Sequence, residues 1–380
     1  MMAAAEFFGD IDRDIDRDIE QTGAGVAPLP EPFRLRLGGE LHGASIAFET
    51  WGVLNAATDN AILLYTGLSP SAHAASNRQD ARPGWWEPMI GPGRTFDTRR
   101  WFLICVNSLG SCFGSTGPAS TNPRTGQRYG ADFPPLSIED IARGGQAVLE
   151  HLGISRAHVV AGPSLGGVAA LAHVALFPRG ARHLLSISAT AAATPYAIAL
   201  RSIQREAVAS DPAWRGGRYD PAVPPRAGLA LARKIGTVTY RSAADLEQRF
   251  GRRPSAAGAE FAVQDYLAAQ AAKFVDAFDA NCYVQLSAAL DRFELARHGD
   301  PSEIFRRAGL ESALVIGVEL DHLFTIDEQA GIVSALHAAG VPTRFARLDS
   351  LAGHDAFLVD FARFDQTIRP WLSGETHHAS

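Results

Sequence analysis

Three residues of this sequence could carry acyl chemistry together: Ser164, Asp321 and His354. A serine hydroxyl is a weak nucleophile, so it needs a base, and the base needs a carboxylate to orient it. Ser164 lies in Gly162-Pro163-Ser164-Leu165-Gly166, a G-x-S-x-G run. The β-branched Val159-Val160 precedes it, and Val168-Ala169-Ala170-Leu171 opens a helix after it. A strand-to-helix turn this sharp needs glycine at 162 and 166, because Cβ atoms there would collide with neighbouring backbone. Such a turn lifts the hydroxyl above the sheet and points a helix N-terminus at any oxyanion that forms beside it. Asp321 stands three residues past the apolar run Leu314–Val318. His354 follows Gly353, just beyond the run Arg344–Leu348. His322, beside the acid, is expected to be structural or part of a pocket wall.

The elements that must position these groups are legible as well. Strand, elbow and helix, followed by an acid and then a histidine, is the chain order of an α/β-hydrolase fold. The expected architecture is therefore α/β, a mostly parallel sheet with helices on both faces. Runs 60–65, 101–106, 157–161, 183–188 and 314–318 are nearly continuous in apolar residues, as strands covered on both faces are. Phe33, Leu35 and Leu37, then Gly38-Gly39 and Ile46-Ala47-Phe48, read as an edge hairpin. Ser137 with Glu139 and Asp140 starts a helix reaching about Leu152, and Gly340 ends another over 327–339. Between 190 and 300 the alternation stops. Helical periodicity over 198–208, 228–235 and 261–274 suggests an inserted helical lid over 191–300, between core segments 31–190 and 301–376. In this fold the oxyanion is held by two backbone N–H groups. Those of Leu165 and of Leu68, the latter in the loop after 60–65, are the candidates.

Composition narrows the function classes. The chain has 380 residues, 46% of them hydrophobic, and can bury a large core. Of its net −6, nearly all sits in residues 1–20, where seven acids face Arg13 and Arg17. No basic footprint for nucleic acid remains. Ile11, Ile15 and Ile19 would form one stripe if helical, but residues 1–30 read as a polar N-terminal tail. Cys105, Cys112 and Cys282 make neither a disulfide framework nor a metal clamp, so no metal is expected and a reducing cytoplasm suits them. No run approaches the roughly 18 apolar residues of a membrane helix. The expectation is a soluble cytoplasmic enzyme acting on small molecules.

The elbow does not separate hydrolysis from acyl transfer. Residues 107–120, Asn-Ser-Leu-Gly-Ser-Cys-Phe-Gly-Ser-Thr-Gly-Pro-Ala-Ser, then Asn122-Pro123 and Thr125-Gly126, resemble the signature of the homoserine O-acetyltransferase family. Asp321-His322-Leu323-Phe324 and Gly353-His354-Asp355 resemble the surroundings of that family's acid and base. Three further stretches are similar to the family's serine O-succinyltransferase and serine O-acetyltransferase branch. They are Thr66–Pro70 with Ala72-His73-Ala74, Arg201–Ala207, and Ala232–Gly236 with Thr239–Ser242. The resemblance spans about residues 30–372. It implies a ping-pong reaction with acetyl-CoA or succinyl-CoA as co-substrate, L-serine as acceptor, no bound cofactor, and a homodimer formed through the lid. It also implies that Arg233 binds the acceptor carboxylate, Tyr240 hydrogen-bonds nearby and Asp355 meets the ammonium. An amino acid gripped at both charged ends needs such an arginine fork and such an acid.

The sequence departs from the family at Pro163, often Asn or Gly in relatives, at Ser71, where the serine branch tends to have an acid, and at Phe113, often basic or polar. These changes bear on which acyl group and which acceptor are used. Homoserine as acceptor and a plain serine esterase are the alternatives; a non-catalytic binding module is disfavoured because all three chemical groups are present.

Overall fold

The computed structural model describes residues 23–374. The isoleucine stripe at 11, 15 and 19 lies outside the described residues. Among the described residues ten strands form: β1 (Gly23–Pro28), β2 (Phe33–Arg34), β3 (Glu40–Leu41), β4 (Ser45–Trp51), β5 (Ala61–Tyr65), β6 (Phe102–Val106), β7 (Ala157–Pro163), β8 (Ala181–Ile187), β9 (Ser312–Val318) and β10 (Thr343–Leu348). Eight of them make one sheet in the order β1-β4-β6-β5-β7-β8-β9-β10. From β6 to β10 neighbouring strands run parallel, and β4 is antiparallel to both β1 and β6. The chain has the α/β-hydrolase fold.

The apolar runs split by strand alternation into two cores. Leu63, Val160, Leu184 and Val315 face one layer, and Ile62, Val159, Leu185 and Leu314 face the other. On the first side pack α1 (Ile138–His151), α2 (Leu165–Leu176), α8 (Pro301–Ala308) and α9 (Ile326–Ala338). On the second, Trp86, Phe96, Phe357, Phe364 and Ile368 cover the sheet, the last three from α10 (Ala356–Val359) and α11 (Phe361–Leu372). Helix α1 begins where expected, with Ser137 and Asp140 capping each other's backbone N–H. Between β8 and β9 lie α3 (Pro195–Ala209), α4 (Arg226–Tyr240), α5 (Ala243–Phe250), α6 (Ala262–Ala277) and α7 (Ala280–Arg292). Among the described residues no helix is long and apolar enough to cross a membrane.

Two expectations are corrected. Residues 23–28, placed in the polar tail, are an edge strand whose Gly23 to Pro28 pair with Thr50 to Ser45. Gly-Ala-Gly-Val-Ala-Pro has little strand propensity, and an edge tolerates its proline. What makes it a strand is its pairing with the edge of β4, and position 25 suits glycine because a side chain there would overlap the ring of Phe48 on β4. Likewise Phe33–Arg34 does not pair with Ile46–Phe48. It forms a short two-stranded ribbon with Glu40–Leu41, leaving β4 free to join the main sheet.

Candidate active site

The site begins with backbone geometry at the end of β7. Ser164 has φ 57° and ψ −124°, a conformation L-residues avoid. A Cβ at Gly162 would overlap the backbone of Gly166, and one at Gly166 would overlap the carbonyl of Tyr65 on β5. The two glycines let the turn close against the sheet, and the Ser164 N–H is secured by the Ile187 carbonyl at 2.9 Å. Ser164 is the N-cap of α2. The N–H of Leu165 is therefore one of the helix's first four, which have no intrahelical acceptor.

Three separate loops then meet. His354 Nε2 lies 2.8 Å from Ser164 Oγ, and Nδ1 lies 2.7 Å from Asp321 Oδ2. The other carboxylate oxygen of Asp321 accepts the N–H groups of Leu323 and Phe324, each at 2.9 Å. The aspartate is thus locked in orientation and buried along with His354. Phe324, Phe357 and Tyr240 surround the imidazole at ring-centre distances of 5.1, 5.8 and 5.7 Å. Burial alone would lower the histidine's pKa. The charge and hydrogen bond of Asp321, with the charge of Asp355, outweigh burial and hold it above its ordinary value. His322, by contrast, is exposed.

Ser164 opens into a cavity of about 30 Å³, room for little more than a water. Its wall includes Leu68 and Phe324, and Arg201 and Gln204 from α3, Tyr240 from α4 and Leu290 from α7. The structure thus brings Ser164, His354, Asp321, Leu68, Leu165 and Tyr240 together. Arg233 and Asp355 do not line this cavity, although they adjoin it. Helix α4 runs unbroken through Gly236, so the Arg233 guanidinium lies 5.7 Å from the Tyr240 ring centre and 4.8 Å from that of Phe274. Its Nε is buried without a hydrogen-bond partner among the described residues. Asp355 pairs with Arg241 at 3.1 Å. Burial pushes its carboxyl pKa up, against the pull of Arg241, His354 and Arg233.

Sequence reasoning gave Arg201 and Arg241 no individual role. Arg201 is 5% exposed, and its Nε meets Asp291 at 2.5 Å. Both its terminal nitrogens are buried without a partner. The run Arg201–Ala207 marked the region, but only packing reveals that Arg201 lines the nucleophile's cavity. Ser71 and Phe113, the departures noted above, are absorbed locally. The Ser71 hydroxyl accepts the His73 N–H, and Phe113 packs edge-on against Phe278.

Residues 60–361 match the family model described as alpha/beta hydrolase fold. The chain is 52% identical over 355 residues to a serine O-succinyltransferase of Litchfieldella anticariensis, covering 91% of this chain and 97% of that one. The crystal structure of a homoserine O-acetyltransferase from Bacillus anthracis superposes with a TM-score of 0.85 at 25% identity, covering 92% of this chain and 97% of that one. An esterase crystal structure superposes with a TM-score of 0.83 at 26% identity, covering 92% and 99%.

A base must be neutral to accept the serine proton. With the His354 pKa held above the ordinary 6.5, serine reactivity should disappear as pH falls through a midpoint higher than that value. The pH profile of the p-nitrophenyl acetate burst measures it. Asp321→Asn removes the largest stabiliser of the imidazolium and should move the midpoint down, which NMR titration of the imidazole reads independently of rate.

Proposed function

The chain belongs to the α/β-hydrolase-fold family and, within it, to the O-acyltransferases that include serine O-succinyltransferases; on that footing we propose that it moves an acyl group from acyl-CoA to the hydroxyl of L-serine by a ping-pong route. The observation that carries this reading is the Ser164–His354–Asp321 hydrogen-bonded row beneath a lid that also brings Arg233 close by. Ser164 attacks the thioester carbonyl while His354 takes its proton. The N–H groups of Leu68 and Leu165 stabilise the oxyanion. His354 returns the proton to the departing CoA thiolate, leaving acyl-Ser164. In the second half His354 takes the proton of the acceptor hydroxyl, which attacks the acyl-enzyme; the bond to Ser164 Oγ then breaks, His354 returns the proton to that oxygen, and the O-acylated acceptor leaves. Arg233 binds the acceptor carboxylate, with Tyr240 beside it, and Asp355 takes the ammonium.

Transfer requires the acceptor to win over water. A gripped acceptor gains a large effective concentration over water. This favours transfer over the esterase alternative. Among acyl donors Arg201 supports succinyl-CoA, because its two unpaired guanidinium nitrogens suit the distal carboxylate of a succinyl chain and have no counterpart in an acetyl group. Homoserine remains the second acceptor to compare. The enzyme works as a soluble cytoplasmic protein. Its lid leaves Tyr196 and Ile203 on α3, and Leu231 and Val238 on α4, about half exposed at seven-residue spacing. Those stripes support a homodimer formed through the lid.

Four measurements test the proposal. L-serine and L-homoserine, each with acetyl-CoA and succinyl-CoA, should give the fastest CoA thiol release for serine with succinyl-CoA. Wild type should gain one acyl group by intact mass in the absence of acceptor, and Ser164→Ala none. A water-only product, or normal turnover by Ser164→Ala, would overturn the mechanism. Arg201→Gln should lower kcat/KM for succinyl-CoA at least about tenfold, the loss of one charge-assisted contact, while changing acetyl-CoA use far less. Light scattering should read twice the chain mass, reduced to one chain by Leu231→Glu with Val238→Glu.

A further inference from the structure

We propose that Arg241 is a positioning residue for the acceptor step, orienting Asp355 so that the second oxygen of its carboxylate takes the ammonium of the amino acid. This rests on the reading of Asp355 given above. Arg241 is the residue that ends α4, directly after Tyr240, and its side chain is 12% exposed. Its Nε lies 3.1 Å from Asp355 Oδ2, and Nη1 lies 3.7 Å from Asp245 Oδ2. Asp355 Oδ1 has no hydrogen-bond partner among the described residues, although the side chain keeps a 17% opening to its surroundings. One face of the carboxylate is therefore occupied and the other is available.

The arginine is itself anchored. Asp245 on α5 holds Arg249 as well, at 3.3 Å. The intervening Ser242 caps α5 by accepting the Asp245 N–H at 3.0 Å and donates its hydroxyl hydrogen to the Leu351 carbonyl. Lid and base loop are thus joined where Arg241 crosses between them. The charged groups around Asp355 are Arg241 and Arg233 from α4, His354 from its own loop, and Asp245 with Arg249 reaching it through Arg241. Burial favours the neutral acid, and Arg241 is the foremost of the charges opposing it. A neutral carboxyl would neither attract an ammonium nor hold its orientation against the arginine. The Asp245–Arg241–Asp355 bridge therefore keeps the ammonium subsite ionised and aimed before an acceptor arrives. Arg241 stands apart from the reacting atoms and acts through Asp355.

The sign of the pH effect follows from these charges. The acceptor step needs ionised Asp355 and is lost as pH falls through its pKa. Removing Arg241 raises that pKa further, so the acid limb of the step moves up. The test separates the two half-reactions in Arg241→Gln, Arg241→Lys and Asp355→Asn. Acylation of Ser164, read as a thiol burst, should stay within about threefold of wild type in Arg241→Gln and Arg241→Lys. For Arg241→Gln, KM for L-serine should rise at least tenfold, and the acid limb of serine-dependent discharge should rise by about one pH unit or more. Arg241→Lys keeps the charge without the planar fork, so it should restore the limb and part of the KM. If Asp355→Asn raises KM while Arg241→Gln leaves KM and the limb unchanged, the role of Arg241 fails and the acceptor reading stands. If Asp355→Asn also discharges normally to serine, the acceptor reading itself fails. Equal losses in acylation and discharge for Arg241→Gln would make the bridge a structural staple only. Should Arg241→Gln not fold, Asp245→Asn loosens the same anchor from outside the site. It should then raise KM through the loosened orientation, and an unchanged KM would overturn the proposal.

Discussion

The structure depends on one backbone constraint, the left-handed turn at Ser164. A non-glycine residue at φ 57° costs on the order of 1–3 kcal/mol and persists only where its surroundings leave no alternative. Here those surroundings are the two glycines flanking the turn, the Ile187 carbonyl on β8 and the Tyr65 carbonyl on β5. Both neighbouring strands must be parallel to β7 and in register with it for these contacts to exist. The sheet therefore holds the turn, and the turn aims the hydroxyl. Everything that approaches the hydroxyl arrives from loops at the carboxyl ends of strands, where doubly wound sheets place their crevices.

Around that fixed point the lid contributes what the core cannot. Core loops supply the serine, the imidazole and its carboxylate, a set common to esterases and transferases alike. The lid supplies Arg201, Gln204 and Tyr240 to the cavity wall and Arg233 and Arg241 to its margin. A buried cation is costly unless it is paired, so an arginine with free nitrogens facing a cavity marks a place prepared for an anion. Arg201 retains one carboxylate, Asp291, and leaves the rest of its fork uncommitted. Arg241 differs in that its charge sits against two carboxylates of the protein, Asp245 and Asp355, although its buried Nε makes no aligned hydrogen bond among the described residues. The contrast distinguishes a group suited to substrate from a group suited to positioning.

Much of this was legible in the sequence because it depends on near neighbours in the chain. The G-x-S-x-G run determined the elbow, since its sterics involve residues four apart and an adjacent strand of known type. Continuous apolar runs identified the buried parallel strands, and Ser137 with Asp140 marked the start of α1. The order of serine, acid and histidine followed from strand ends, and the structure brings those three side chains within hydrogen-bonding distance. Tertiary structure decided what depends on residues far apart in the chain. Gly23–Pro28 became a strand because its backbone pairs with the distant residues 45–50 on β4, where the Phe48 ring leaves little room for a side chain at position 25. Phe33–Arg34 paired with Glu40–Leu41 because Ser45–Trp51 was already held by β1 and β6. Arg201 and Arg241 look alike in sequence, each an arginine within a lid helix or at its end. Only packing distinguishes them, because a charge's role is set by which opposite charges reach it in space, and those come from residues 90 and 114 positions away in the chain.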